Sequence, residues 1–247
     1  MDLNDALDQC RQMLVDGASI IDVGAESART NRDAIEIEEE IDRLLPFIER
    51  WDSLVKEEDE RPWLSINTWR PEIIKAVLET GRVDLINDIS GLPDANNAEL
   101  CAKYNTMLLI MHSVGLPKIP HLEQQYDDVW SAVESFFEEK IALAKSAGLR
   151  DDKIMIDPGI DFAKQCEHNL LIYQQIERLQ KYGYPVLLPV SRKTVIGDVL
   201  DLEDPVDRDA GTVACIARGL AGGADVFRVH NVKAAQQAIS ILQGVVG

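Results

Sequence analysis

The residues best suited to chemistry stand in the last third of this chain, where Ser191-Arg192-Lys193 follows the apolar run 186–190 and Arg228-Val229-His230 closes the run 224–229. Short apolar runs of this kind predict buried strands. In a parallel α/β protein the carboxyl ends of the strands line one rim, where groups distant in sequence converge on a ligand. Two basic clusters on such a rim predict an anionic substrate. The chain carries 43 acidic against 25 basic residues, a formal net charge of -18, so these cations run against the general balance and mark a site.

Other strand ends add hydrogen-bonding groups. Ile154-Met155-Ile156 runs into Asp157-Pro158-Gly159 and then Phe162. A carboxylate there can pair with two adjacent N–H donors of one ligand, and an apolar cover strengthens the pairing by excluding water; the same Asp also reads as a helix cap before a loop. Lys193 offers a compact charge to a carbonyl or ring nitrogen, the Arg228 fork fits phosphate oxygens, and His230 can donate to the same phosphate. Ser65-Ile66-Asn67-Thr68 and Ile86-Asn87-Asp88-Ile89 bring amides, which suit the edge of a heterocycle because they donate and accept at once. Asn at such positions serves equally as a cap or turn residue. His112 after Met111 is a structural residue or a ligand, and the loop from Gly24 to Arg29 reads as acidic and small.

These groups need a scaffold, and the pattern of short Ile/Val/Leu-rich runs between amphipathic stretches is that of repeated β-α units over a buried parallel sheet. Strands are expected near 19–24, 63–66, 84–88, 107–111, 153–156, 186–190 and 224–229, and helices over 3–15, 34–57, 71–80, 95–104, 127–147, 167–182, 208–222 and 234–242. At 247 residues and 46% hydrophobic content the chain has the size of one barrel domain spanning 1–247. Seven strands are one short of a closed (β/α)₈ TIM barrel, so the eighth is expected from an upstream segment, a partner chain or a rearranged terminus. The acidic balance argues against nucleic acid and anionic membrane surfaces as partners. No run approaches the ~18 apolar residues of a membrane span. Cys10, Cys101, Cys166 and Cys215 lack C-x-x-C spacing, which argues against a disulfide framework or zinc site, suits the cytoplasm and predicts buried free thiols.

Taken in order, Ile-Ile-Asp-Val-Gly, Ser-Ile-Asn-Thr, Ile-Asn-Asp-Ile, Met-His, Ile-Asp-Pro-Gly, Ser-Arg-Lys and Arg-Val-His resemble the dihydropteroate synthase family of pterin-binding barrels, from about Leu3 to Leu242. The resemblance implies an α/β (β/α)₈ transferase of folate biosynthesis. It would join p-aminobenzoate to 6-hydroxymethyl-7,8-dihydropterin pyrophosphate with help from Mg²⁺, as a homodimer packed through late helices. By the family pattern Asn67, Asn87, Asp157 and Lys193 contact the pterin, with Ile89 and Met111 as apolar walls. Arg228 and His230 hold the pyrophosphate, and Arg29, Phe162, Lys193 and Thr194 face the aminobenzoate. The catalytic set is Asp157, Lys193 and Arg228.

The chain departs from that pattern in specific places. Family members carry Asp where this chain has Asn67, and Gly-Gly-Glu-Ser-Thr-Arg-Pro becomes Gly24-Ala25-Glu26-Ser27-Ala28-Arg29-Thr30. Gly-Phe-Gly-Phe-Gly-Lys becomes Gly159-Ile160-Asp161-Phe162-Ala163-Lys164, and Asn231 replaces the Asp after Arg-Val-His. The first family strand, with its metal-contacting Asn, has no counterpart. Two other readings therefore stand beside the synthase: a catalytically impaired pterin-binding homologue, and a methyltetrahydrofolate-binding methyltransferase barrel, which shares the pterin pocket without needing the Arg228/His230 anion site. The neutral amide of Asn67 cannot offer charge to a pterin; Asn67→Asp is expected to tighten pterin binding in calorimetry, and an unchanged affinity would mean that this side chain faces elsewhere.

Overall fold

The computed structural model describes residues 2–26, 34–55, 61–115, 117–119 and 124–246. The chain divides into two compact units, the first comprising Met1–Ile110, Gly115–Ile119 and Lys140–Ile154, the second Met111–Val114, Pro120–Glu139 and Met155–Gly247.

The first unit opens with α1 (Leu3–Val15), capped where Asp2 accepts from the Asp5 N–H at 2.9 Å. Four parallel strands follow in sequence order: β1 (Ile20–Val23), β2 (Trp63–Asn67), β3 (Leu85–Asp88) and β4 (Met107–Met111). Between them lie α2 (Ile37–Leu54), α3 (Pro71–Leu78) and α4 (Asn96–Tyr104). Pro71 starts α3 because its missing N–H would have been unsatisfied there, and Asn105 ends α4 in the left-handed region. Strands β3 and β4 are buried along their whole length, β4 as a continuous apolar run of the kind a parallel sheet takes and β3 with Asn87 and Asp88 at its polar end. Trp51, Leu64, Ile66, Ile73, Ile74 and Ile86 are fully excluded from water and form the core.

In the second unit, where α5 (Val129–Ser146) begins, β5 (Ile154–Asp157) leads through a loop into α6 (Cys166–Gln174). The sequence predicts one helix over 167–182; instead Gln175 leaves helical geometry at φ -130° and the chain continues as a 3₁₀ segment, Ile176–Tyr182. Next come β6 (Leu187–Pro189), α7 (Thr194–Leu200), α8 (Asp209–Ala221), β7 (Val226–Arg228) and α9 (Val232–Val246). Helix α7 is absent from the sequence-based expectation, since seven residues carry too little periodicity to be read. Strand β7 was expected to be buried, yet Val226 and Phe227 are only half-buried and Arg228 is exposed. Among the described residues its sheet pairs it with β6 alone, which leaves one edge uncovered.

Seven strands are present among the described residues, matching the expected number. No described helix is long and apolar enough to cross a membrane. All four cysteines are free, but only Cys10 and Cys101 are buried; Cys166 and Cys215 are partly exposed, contrary to the expectation of four core thiols.

Arg208 fixes the segment around α7. Its Nε and Nη2 donate to the Leu202 carbonyl and Nη2 also to that of Glu203, while Nη1 donates to the Arg192 and Lys193 carbonyls at 3.3 Å. One guanidinium thus ties the two ends of the helix. Gly197 makes room for it, since a Cβ there would lie 2.5 Å from Arg208 Cζ. Only a planar fork reaches all these carbonyls, and a buried carbonyl left unpaired is costly. Arg208→Lys is therefore expected to lower stability by ~2 kcal/mol or more in urea unfolding.

Candidate active site

Asp157 is the last residue of β5 and is 2% exposed. Its Oδ1 accepts the Gly159 N–H at 2.7 Å, so it closes a local turn rather than capping a helix. Burial pushes its carboxyl up to about 6, although the Gly159 N–H and the charges of Lys193, Lys164 and Arg228 favour the ionised form.

The turn after Asp157 depends on glycine. Gly159 has φ +70°, and a Cβ there would lie 2.0 Å from the His112 carbonyl oxygen. The turn is held from beneath by Lys164, whose Nζ donates to the carbonyls of Gly159 at 2.9 Å and Phe162 at 3.0 Å and meets His112 Nδ1 at 2.8 Å. Burial pulls this ammonium down to about 7, with Asp157 opposing. His112, 2% exposed, is pushed well below the usual imidazole range by burial and then by Lys164, so it is the neutral partner of that lysine. Of the two readings open for His112, the structural one holds. No sequence signal distinguishes a buried Lys164 from an ordinary loop lysine.

Lys193 precedes α7 and reaches back to the same loop, donating to the Ile160 carbonyl at 2.8 Å with Nζ 5.1 Å from the centre of the Phe162 ring. Burial lowers its pKa, while Asp161 and then Asp157 oppose the shift. The second unit thus gathers Asp157, Phe162, Lys193 and Thr194 around one loop and one helix start. Met111, also in this unit, is 1% exposed at the end of β4.

Arg228 ends β7, in register with Pro189 of β6. Two residues on, the His230 N–H donates to Ser191 Oγ at 3.1 Å, and His230 Nδ1 lies 2.8 Å from the same oxygen. An oxygen that accepts from the backbone is free to donate its own hydrogen to Nδ1, and in that tautomer the imidazole proton stands on Nε2 as a donor. Burial, then Arg228 and Arg192, hold the His230 pKa below its usual value. Asn231, at the departure from the family pattern, donates to Asp209, which pairs with Arg192 at 2.8 Å.

In the first unit Asn67 and Asn87 are register partners at the ends of β2 and β3. Asp22 at β1 accepts from Asn87 Nδ2 at 3.1 Å and from Ser65 Oγ at 2.6 Å. A carboxylate demands the amide's donor side, which fixes the orientation of Asn87 and leaves its carbonyl oxygen and second N–H to offer elsewhere. Ile89 follows β3 and is 5% exposed. The same unit holds an ion cluster that sequence reasoning missed: Glu26 accepts from Lys118 at 2.6 Å and from Arg70 at 2.9 Å, and Arg70 also pairs with Glu40 at 3.3 Å. Glu26 takes the Ile35 N–H and Arg70 the Ile35 carbonyl, so that backbone unit is gripped on both sides. Burial raises the Glu40 pKa, with Thr68 and Arg70 opposing. Arg29, expected at the aminobenzoate, lies outside the described residues together with Ser27, Ala28 and Thr30.

Comparison with known proteins identifies the chain's relatives. Residues 1–230 match the family model described as pterin binding enzyme. Dihydropteroate synthase from Synechocystis is 35% identical over 237 residues, covering 96% of this chain and 80% of that protein. Among solved structures, dihydropteroate synthase from Clostridium difficile in the presence of pteroic acid is similar with a TM-score of 0.89 at 33% identity, over 98% of this chain and 88% of that one. The Thermus thermophilus enzyme in complex with 4-aminobenzoate gives a TM-score of 0.88 at 33% identity, over 97% and 89%.

Two buried carboxylates facing a single guanidinium make Arg70 hard to replace. Arg70→Met leaves Glu26 and Glu40 with Lys118 as their remaining cation among the described residues, and a stability loss of ~3 kcal/mol or more is expected. Burial raises the Glu40 pKa above its unfolded value, so the loss should shrink as pH falls and protonation removes that charge. Urea unfolding at several pH values checks both the size and the sign.

Proposed function

Since the chain belongs to the dihydropteroate synthase family of pterin-binding enzymes, α/β proteins of the (β/α)₈ TIM-barrel class, we propose how its own residues carry out that family's reaction. It is a transferase of folate biosynthesis that condenses p-aminobenzoate with 6-hydroxymethyl-7,8-dihydropterin pyrophosphate. The relatives solved with pteroic acid and with 4-aminobenzoate support these small molecules as its ligands.

The observation that carries the assignment of roles is the buried Asp157 carboxylate within the field of Lys193 and Arg228. Departure of pyrophosphate leaves positive charge growing on the methylene conjugated to the pterin. A preorganised carboxylate at Asp157 stabilises that cation, while Arg228 and the Nε2 donor of His230 stabilise the departing anion. The amine of p-aminobenzoate then forms the new C–N bond, and no side-chain nucleophile or covalent enzyme intermediate is required. Asp157 and Lys193 take the pterin edge, and the family pattern adds Asn67 and Asn87 with Ile89 and Met111 as walls. Phe162, Lys193, Thr194 and Arg29 serve the aminobenzoate.

The resemblance also implies Mg²⁺. Among the described residues no group of three or more His, Cys, Asp or Glu side chains could hold a metal ion. Mg²⁺ at a diphosphate site needs only one or two protein oxygens besides phosphate and water, so the ion would arrive with the pyrophosphate, and no step here is routed through it. We read residues 1–247 as a single domain acting in the cytoplasm as a homodimer. Exposed Leu170, Leu171, Val199, Leu200 and Val206, all on or beside α6 and α7, support that assembly.

Calorimetry tests the reading. Binding of p-aminobenzoate that depends on pyrophosphate supports the synthase, pterin binding without it the impaired homologue, and preference for methyltetrahydrofolate the methyltransferase. With the synthase assay in hand, Lys193→Ala should abolish turnover, and Asp157→Asn should raise the barrier by at least ~2.7 kcal/mol. Because the working form of Asp157 is the carboxylate, kcat/KM should fall as pH drops below about 6. Near-normal activity in Asp157→Asn would remove the carboxylate from the mechanism.

A further inference from the structure

The loop between β5 and α6 enters the left-handed backbone region at every second residue, with φ +70° at Gly159, +66° at Asp161 and +50° at Ala163. These are the three glycine positions of Gly-Phe-Gly-Phe-Gly-Lys, and this chain keeps glycine only at the first. A side chain in this region is strained, and Asp is one of the few that visit it. The Asp161 side chain makes contacts that no glycine could. Its Oδ2 accepts the Thr194 N–H at 2.5 Å, and its Oδ1 accepts from the Val195 N–H at 3.3 Å and from Asn169 Nδ2 at 3.2 Å. The Asp161 N–H donates to Asn169 Oδ1 at 2.9 Å, which fixes the loop to α6 as well.

Thr194 and Val195 open α7, whose N-cap residue Lys193 makes no side-chain cap bond of its own. The cap comes instead from 33 residues upstream. Lys193 returns the tie, since its ammonium binds the carbonyl of Ile160 and lies over the ring of Phe162, the two neighbours of Asp161. One carboxylate reaches from loop to helix where one ammonium reaches from helix to loop. We propose that Asp161 is a positioning residue of this chain that locks Phe162 to Lys193 and Thr194 and so sets the face presented to p-aminobenzoate. This rests on the synthase reading. Asp161 also opposes the loss of charge that burial would impose on Lys193, which adds to the tie without being its basis.

The test compares the parent with Asp161→Gly, which relieves the backbone but removes the tie, and Asp161→Asn, which tolerates the same φ and keeps an acceptor for the helix. In Asp161→Gly the KM for p-aminobenzoate should rise about tenfold, a larger change than in the KM for the pterin pyrophosphate. Asp161→Asn should restore most of the aminobenzoate KM. Amide exchange at Thr194 and Val195 should quicken in Asp161→Gly and return toward the parent in Asp161→Asn. An unchanged aminobenzoate KM in Asp161→Gly, unchanged exchange there, or an Asp161→Asn variant as impaired as Asp161→Gly would each overturn the proposal. A cap that served stability alone would lower Tm and leave the KM ratio unmoved, which also overturns it. A parent that releases no pyrophosphate defeats the synthase reading instead, and the exchange measurement still reports on the tie.

Discussion

A carboxylate at the end of β5 that is closed off from water and still surrounded by cations is the constraint on which the second unit is built. Burial alone would neutralise Asp157. Lys193, Lys164 and Arg228 oppose that, and the two lysines are in turn held by groups other than solvent. Lys164 is held by two carbonyls and a neutral histidine, Lys193 by the Ile160 carbonyl and the Phe162 ring. The loop between β5 and α6 is therefore shaped by the needs of charges, with its carbonyls turned toward two ammonium groups.

That requirement explains the backbone. A loop that must aim several carbonyls inward within six residues alternates between ordinary and left-handed conformations, and the carbonyl of His112 comes so close at Gly159 that no side chain fits. Where the alternation falls on Asp161 and Ala163, strain that glycine would avoid is carried by the chain. At Asp161 it is offset by hydrogen bonds to α7 and Asn169. At Ala163 no comparable side-chain contact is available to a methyl group.

The first unit solves a related problem with an ion cluster. Two carboxylates, Glu26 and Glu40, are shielded from water and share Arg70, while Lys118 completes the charge on Glu26. The hydrogen bonds from this cluster to both polar groups of Ile35 fix one backbone unit just beyond the segment that contains Arg29. Asp22 does the corresponding service for Asn87, fixing which way its amide faces.

What the sequence determined by itself was periodicity and order. Buried parallel strands are largely apolar, so β2 to β6 announced themselves as short runs rich in Ile, Leu and Met, and the polar residues at or after their ends named Asn67, Asn87, Asp157 and Lys193 as candidates. What only the tertiary structure decided was which polar side chain meets which. The tie of Asp161 to Thr194, the grip of Lys164 on His112, and the span of Arg208 across α7 join residues between 5 and 52 positions apart. Short helices such as α7 and half-buried strands such as β7 were hidden or misjudged for the same reason: their state is set by the neighbours that cap or cover them, and local sequence records those neighbours only faintly.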